Sequence, residues 1–133
     1  PIEDSSVQDE ITTLMIRNLP ERLAKQDLLE ELDRSGFSGL YDYCYMPRSF
    51  ESGESQGFAF VNCNSAAAAD ALTSSWNRTR RFGLSTTTLS ILPAAVQGLE
   101  RNMAKWERPR ARRIRNTEYV PFVREAGDGT GAA

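Results

Sequence analysis

Histidine is absent from this chain, which excludes imidazole-based acid–base catalysis and zinc sites built on imidazole. Cysteine is nearly absent: Cys44 and Cys63 are too few for the disulfide framework of a small secreted domain and fit a reducing compartment. A thiol nucleophile at either position would lack an activating imidazole. No apolar run approaches the roughly 20 residues needed to span a bilayer. Pro1–Glu10 is acidic, unlike a secretory leader with its basic start and apolar middle. Glycine-rich phosphate loops, metal-ligand spacings and paired acid–base carboxylates are also missing. These absences lead us to expect a non-enzymatic intracellular protein of the nucleus or cytoplasm, with no cofactor, no metal, no membrane and no small-molecule substrate.

What remains is ordinary in bulk and uneven in detail. The 133 residues suit one domain; apolar residues make up 40% and charged residues 26%, as in globular chains. The formal charge of −2 hides an asymmetry. Residues 1–11 carry four acids, whereas residues 97–124 carry eight basic groups against three acidic ones. A basic segment of this kind suits a polyanionic partner, and a solvated arginine-rich tail equally.

Hydrophobic periodicity divides the chain into elements. Thr12–Asn18 alternates as a strand, with Leu14 and Ile16 on one face and Met15 and Arg17 on the other. Leu23–Phe37 is an amphipathic helix with an acidic outer face (Asp27, Glu30, Glu31, Asp33), closed near Ser35-Gly36. Leu40–Met46 alternates again, which places Tyr41, Tyr43 and Tyr45 together opposite Asp42, Cys44 and Met46. Gly57–Cys63 sets Phe58, Phe60 and Asn62 against Ala59, Val61 and Cys63. A hairpin centred near residue 51 or 52 would put Cys44 opposite about residue 59 and Cys63 opposite about residue 40, too far apart for a disulfide. Ser65–Trp76 is an alanine-rich helix with Ser65 as its N-cap. Thr86–Leu92 is a β-branched strand, and Gln97–Trp106 a short third helix with Leu99, Met103 and Trp106 on one face.

The order β-α-β-β-α-β predicts an α+β, ferredoxin-like sandwich: a four-stranded antiparallel sheet, two helices on one face, and a C-terminal helical extension. We assign residues 1–11 to an acidic linker, 12–96 to the domain, 97–124 to the helix and basic extension, and 125–133 to a disordered tail. The acidic start and Gly-rich end suggest a piece of a longer chain.

Two strands carry the specific signal. Gln56-Gly57-Phe58-Ala59-Phe60-Val61-Asn62-Cys63 resembles the eight-residue signature of the RNA recognition motif, and Leu14-Met15-Ile16-Arg17-Asn18-Leu19 resembles its partner motif on the first strand. Gln56 stands where a basic residue is usual, Cys63 where an aromatic is usual, and Met15 likewise. Glu51 and Glu54 make the intervening turn acidic. Phe58 and Phe60 lie two residues apart, so both project from the face opposite the core-forming Ala59, Val61 and Cys63. Large aromatics on an open sheet face call for a covering partner, and unstacked bases are a natural one.

Thr12–Pro20, Tyr41–Pro47 and Gly57–Asn62, with Val96-Gln97-Gly98 and Glu118–Arg124, are similar to the C-terminal RNA recognition motif of the Mei-two (meiosis regulator) family. The resemblance covers about residues 12–124 and implies single-stranded RNA as partner and a role in post-transcriptional control. The RNA-contacting candidates are Met15, Arg17, Tyr43, Tyr45, Gln56, Phe58, Phe60 and Asn62. Phosphate-contacting candidates are Arg48, Arg108, Arg110, Arg112 and Arg113. The alternative is a protein-recognition module of U2AF-homology type, gripping a partner peptide with the acidic first helix and Arg80-Arg81-Phe82.

Overall fold

The computed structural model describes residues 10–49, 51–84, 86–107, 114 and 119–124. The acidic linker (except its last two residues), the C-terminal tail, and Arg108, Arg110, Arg112 and Arg113 lie outside the described residues.

Strand β1 (Thr13–Arg17) is followed by helix α1 (Lys25–Leu32), β2 (Tyr41–Tyr45), β3 (Phe58–Cys63), α2 (Ala66–Trp76), β4 (Ser90–Pro93), α3 (Leu99–Ala104) and β5 (Phe122–Val123). The sheet runs β4-β1-β3-β2-β5, antiparallel at every pairing. Four strands are the expected ones. The fifth comes from the C-terminal extension, which pairs Val123 with Tyr43 and Phe122 with Cys44 along the outer edge of β2.

Both long helices pack on one face. Helix α1 has no side-chain oxygen at its N-cap, Ala24; instead Asp27 Oδ2 accepts the Ala24 N–H at 3.1 Å. It closes through a wide five-residue turn, Asp33–Phe37, in which Gly36 takes φ +99°, a left-handed value that glycine adopts without Cβ strain. Helix α2 starts as expected, with Ser65 Oγ accepting the Ala68 N–H at 3.1 Å. Leu28, Leu32, Leu72 and Trp76 meet Ile16 and Val61 in a continuous core, and each is almost fully buried. Burial of this kind contributes roughly 1.5–3 kcal/mol per large apolar side chain.

Register departs from simple alternation in one place. A bulge between Tyr41 and Tyr43 shifts the β2–β3 pairing, so Tyr41 faces Cys63 and Tyr43 faces Asn62. The extra residue moves Tyr41 to the helix side, where it joins the core and meets Phe122 at 5.7 Å between ring centroids. The three tyrosines therefore do not share a face. Cys44 pairs with Val61, two residues later than expected, and both thiols are free and buried. Thr86–Leu89 also precedes β4 rather than forming part of it, because Leu89 pairs its backbone with Arg78 and Thr79 in a separate turn.

Candidate functional site

The face of the sheet away from α1 and α2 is laid out by the ladders. Arg17 sits opposite Phe58 and Ser90, Met15 opposite Phe60 and Leu92, and Phe60 opposite Tyr45. Phe58 and Phe60 are half-buried and meet edge to face at 5.6 Å, 83° apart. Arg17 is exposed beside them, and Leu92 is an exposed apolar neighbour at 45%. Met15, Arg17, Phe58 and Phe60 are thus gathered into one open strip. Gln56 is exposed at its end, just before Gly57, whose backbone C=O accepts the Leu19 N–H at 2.9 Å.

The β2 side of the same face is roofed. Helix α3 and the turn that follows it bring Trp106 onto Tyr45 edge-on at 5.0 Å, and Trp106 Nε1 donates to Tyr43 Oη at 3.2 Å. Lys105 Nζ stands 4.4 Å above the Tyr45 ring. Tyr45 stays half-buried, but Tyr43 is only 1% exposed. Tyr43 therefore supports the platform instead of extending it. Burial pushes its hydroxyl up to about 12, against the lowering effect of the Trp106 bond; burial also raises Tyr45 and lowers Lys105.

Asn62 belongs to the roof's foundation. Its Oδ1 accepts from Thr12 Oγ1 at 2.8 Å and Thr13 Oγ1 at 2.6 Å, and its Nδ2 donates to Asp42 Oδ1 at 2.8 Å. At 4% exposure and engaged at both ends within the chain, the amide is not presented to a base edge, so the base-reading expectation for Asn62 is corrected. Thr13 Oγ1 also accepts from the Gly98 N–H at 2.8 Å and Asn102 Nδ2 at 3.3 Å. Gln97 works as a surrogate strand residue. Its Oε1 accepts the Thr12 and Thr13 N–H groups at 3.0 and 2.9 Å, and its Nε2 donates to the Thr13 and Ala94 carbonyls, both at 2.8 Å.

Sequence reasoning singled out the Val96-Gln97-Gly98 block but not this role, and it missed Asn102. The apolar stripe Leu99, Met103, Trp106 drew the eye, yet Asn102 is the buried residue of α3.

Arg48 is corrected as a phosphate contact. Its Nε donates to the Gly53 carbonyl at 2.7 Å and its Nη1 to the Leu23 carbonyl at 3.0 Å, tying the β2–β3 turn to the start of α1. The elements of the peptide-gripping alternative are likewise engaged within the chain. Arg81 pairs with Glu31 at 2.6 Å and lies 4.8 Å over Trp76, and Phe82 packs edge-on to Trp76 at 5.8 Å. On the acidic helix, Asp33 accepts the Tyr41 hydroxyl at 2.8 Å. Among the described residues, no cluster of His, Cys, Asp and Glu suits a metal ion, and no helix is long and apolar enough to cross a membrane.

Known proteins match both the sequence and the fold. The solved structure of the Rna15 RRM with bound RNA (GU) superposes with a TM-score of 0.56 over 70% of this chain and 93% of that one, at 13% identity, a likeness of fold. The Sxl-lethal protein/RNA complex gives 0.51 at 27% identity, over 65% of this chain and 50% of that one. Protein MEI2-like 6 of Oryza sativa subsp. japonica is 33% identical over 108 residues, 67% of this chain and 33% of that protein, so the chain spans about a third of its relative. The profile of the family described as RNA recognition motif 2 matches residues 11–119, from Ile11, two residues ahead of β1, to Tyr119, shortly before β5, and the chain belongs to that family.

Proposed function

We propose that the chain binds single-stranded RNA by stacking bases on Phe58 and Phe60, inside the cell and in post-transcriptional control. One observation carries the reading: two half-buried phenylalanines project from the open sheet face, away from the helices, with the exposed Arg17 guanidinium next to them. Aromatic faces stack any base, and a flanking guanidinium neutralises the backbone that links the bases. Met15 completes the row on β1, Tyr45 borders it on β2 beneath Trp106 and Lys105, and Gln56 stands at its edge. Tyr43 and Asn62 act from beneath by holding the platform together. The RNA-bound relatives named above support this reading, and two free thiols suit a reducing compartment.

The test is fluorescence anisotropy with a mixed set of short single-stranded RNAs at two salt concentrations. Each stacked base contributes roughly 1–3 kcal/mol, so Phe58→Ala/Phe60→Ala is expected to weaken binding at least about tenfold while its circular dichroism stays native. Arg17→Ala is expected to flatten the salt dependence by about 0.7 in log–log slope. Wild type that binds none of the RNAs, or a double variant that binds as well as wild type, overturns the proposal.

A further inference from the structure

Between the open strip and the roof lies a cleft of about 140 Å³, lined by Tyr43, Phe60, Ala95, Val96, Asn102 and Lys105. Ordinary small-molecule sites start at about 300 Å³, so this one suits a single ring delivered by a longer ligand better than a free-standing compound. Phe60 gives it one aromatic wall that is continuous with the proposed stacking strip, and the exposed Val96 gives an apolar rim at 47%.

Besides the Tyr43 hydroxyl, which accepts from Trp106 Nε1, two side chains bring polar groups to the cleft, Asn102 and Lys105. Asn102 Nδ2 points at the Gly98 carbonyl, 2.7 Å away, and the Val96 carbonyl, 3.3 Å away. Two carbonyl partners settle which end of the amide is nitrogen. Among the described residues its Oδ1 takes no hydrogen bond and is left as an acceptor. Lys105 supplies the donors. Its ammonium is held over Tyr45 at 4.4 Å and Trp106 at 5.4 Å, so it is positioned before any ligand arrives. An ammonium and an amide oxygen within one small cleft match a ring edge that offers a carbonyl beside an N–H.

We infer that this cleft is a base-selective subsite for a keto base, uracil or guanine, with the base carbonyl on Lys105 and the adjacent imino N–H on Asn102 Oδ1. This rests on the RNA-binding reading above. Held in the same register, cytosine and adenine present the reverse edge, an amino donor to Lys105 and a bare ring nitrogen to Asn102 Oδ1, which sets donor against donor and acceptor against acceptor. Helix α3 then adds a specificity element to a platform whose stacking is indifferent to sequence.

Uracil and cytosine are nearly the same size and differ at this edge, so oligo(U) and oligo(C) heptamers isolate the effect. Anisotropy titrations at fixed salt are expected to show a preference for oligo(U) of roughly tenfold, the scale of one base-edge contact. Lys105→Met keeps an unbranched side chain of similar length and removes the ammonium that stands over Tyr45 and Trp106; the U-over-C ratio is expected to fall towards one. The ratio is the readout because loss of any positive charge lowers affinity for both oligomers. Equal binding of the two heptamers by wild type overturns the subsite while leaving the stacking platform standing. A U-over-C ratio preserved in Lys105→Met overturns it too. Failure of wild type to bind either heptamer or any RNA of the mixed set removes the platform and the subsite together.

Discussion

Asn62 sits on the same strand face as Phe58 and Phe60, but its environment is a polar knot and not an open surface. Two threonine hydroxyls and one aspartate share its amide. Removing the amide takes from the Thr12 and Thr13 hydroxyls the acceptor they share and from the Asp42 carboxylate its Nδ2 donor, at a cost of roughly 1–3 kcal/mol. Asn62→Ala is therefore expected to lower the unfolding free energy measured in urea by that amount while the folded protein binds RNA as wild type does. A stable variant with weakened RNA binding would return Asn62 to the base-reading role. Parity in the strand told which face Asn62 occupies; only its neighbours tell whether that position is wet. The same holds for Tyr43, whose roof comes from 63 residues further along the chain.

At the level of elements, Gln97 does the work of a missing strand. Beyond Ala94, β4 has ended, and the first amides of β1 would face water or nothing; one side-chain amide satisfies Thr12 and Thr13 together. Gln97→Ala is expected to cost about 2 kcal/mol and to speed hydrogen exchange at the Thr12 and Thr13 amides ahead of Met15 and Ile16. Strands β1 and β3 were legible in the sequence because each is half core and half open face, which writes a two-residue period. The Ser65 cap was legible because a hydroxyl before an alanine run has few other uses. Three features were not. The bulge at Tyr41–Tyr43 costs one residue and leaves alternation looking intact. Strand β5 has two residues, too few for any period. Helix α3 docks through Asn102 and Trp106 rather than through an uninterrupted apolar stripe, so its hydrophobic pattern pointed only partly at its contacts.

The molecule as a whole has a sheet whose two faces differ in how they meet water, and its pH response follows from what is buried between them. With no histidine, the chain lacks the side chain that ordinarily titrates between about pH 5 and pH 8, so its stability is expected to be flat between about pH 6 and pH 8. Burial pushes the Cys44 and Cys63 thiols from 9.0, and the Tyr43 hydroxyl from 10.0, up to about 12. The folded state holds these protons more tightly than the unfolded chain does, so their contribution is complete below about pH 9 and is lost as pH rises towards 12. Urea midpoints measured from pH 6 to pH 11 are expected to stay level and then fall above about pH 9; a decline beginning near pH 7 would contradict this. The two tryptophans divide between the two faces, one sealed in the helix-side core at 0% exposure and the other half-buried on the sheet's far side over Tyr45. Intrinsic emission is thus a two-channel signal: acrylamide reaches Trp106 and spares Trp76, so quenching follows events on the platform while the unquenched remainder reports whether the core is still closed, with no dye attached to either.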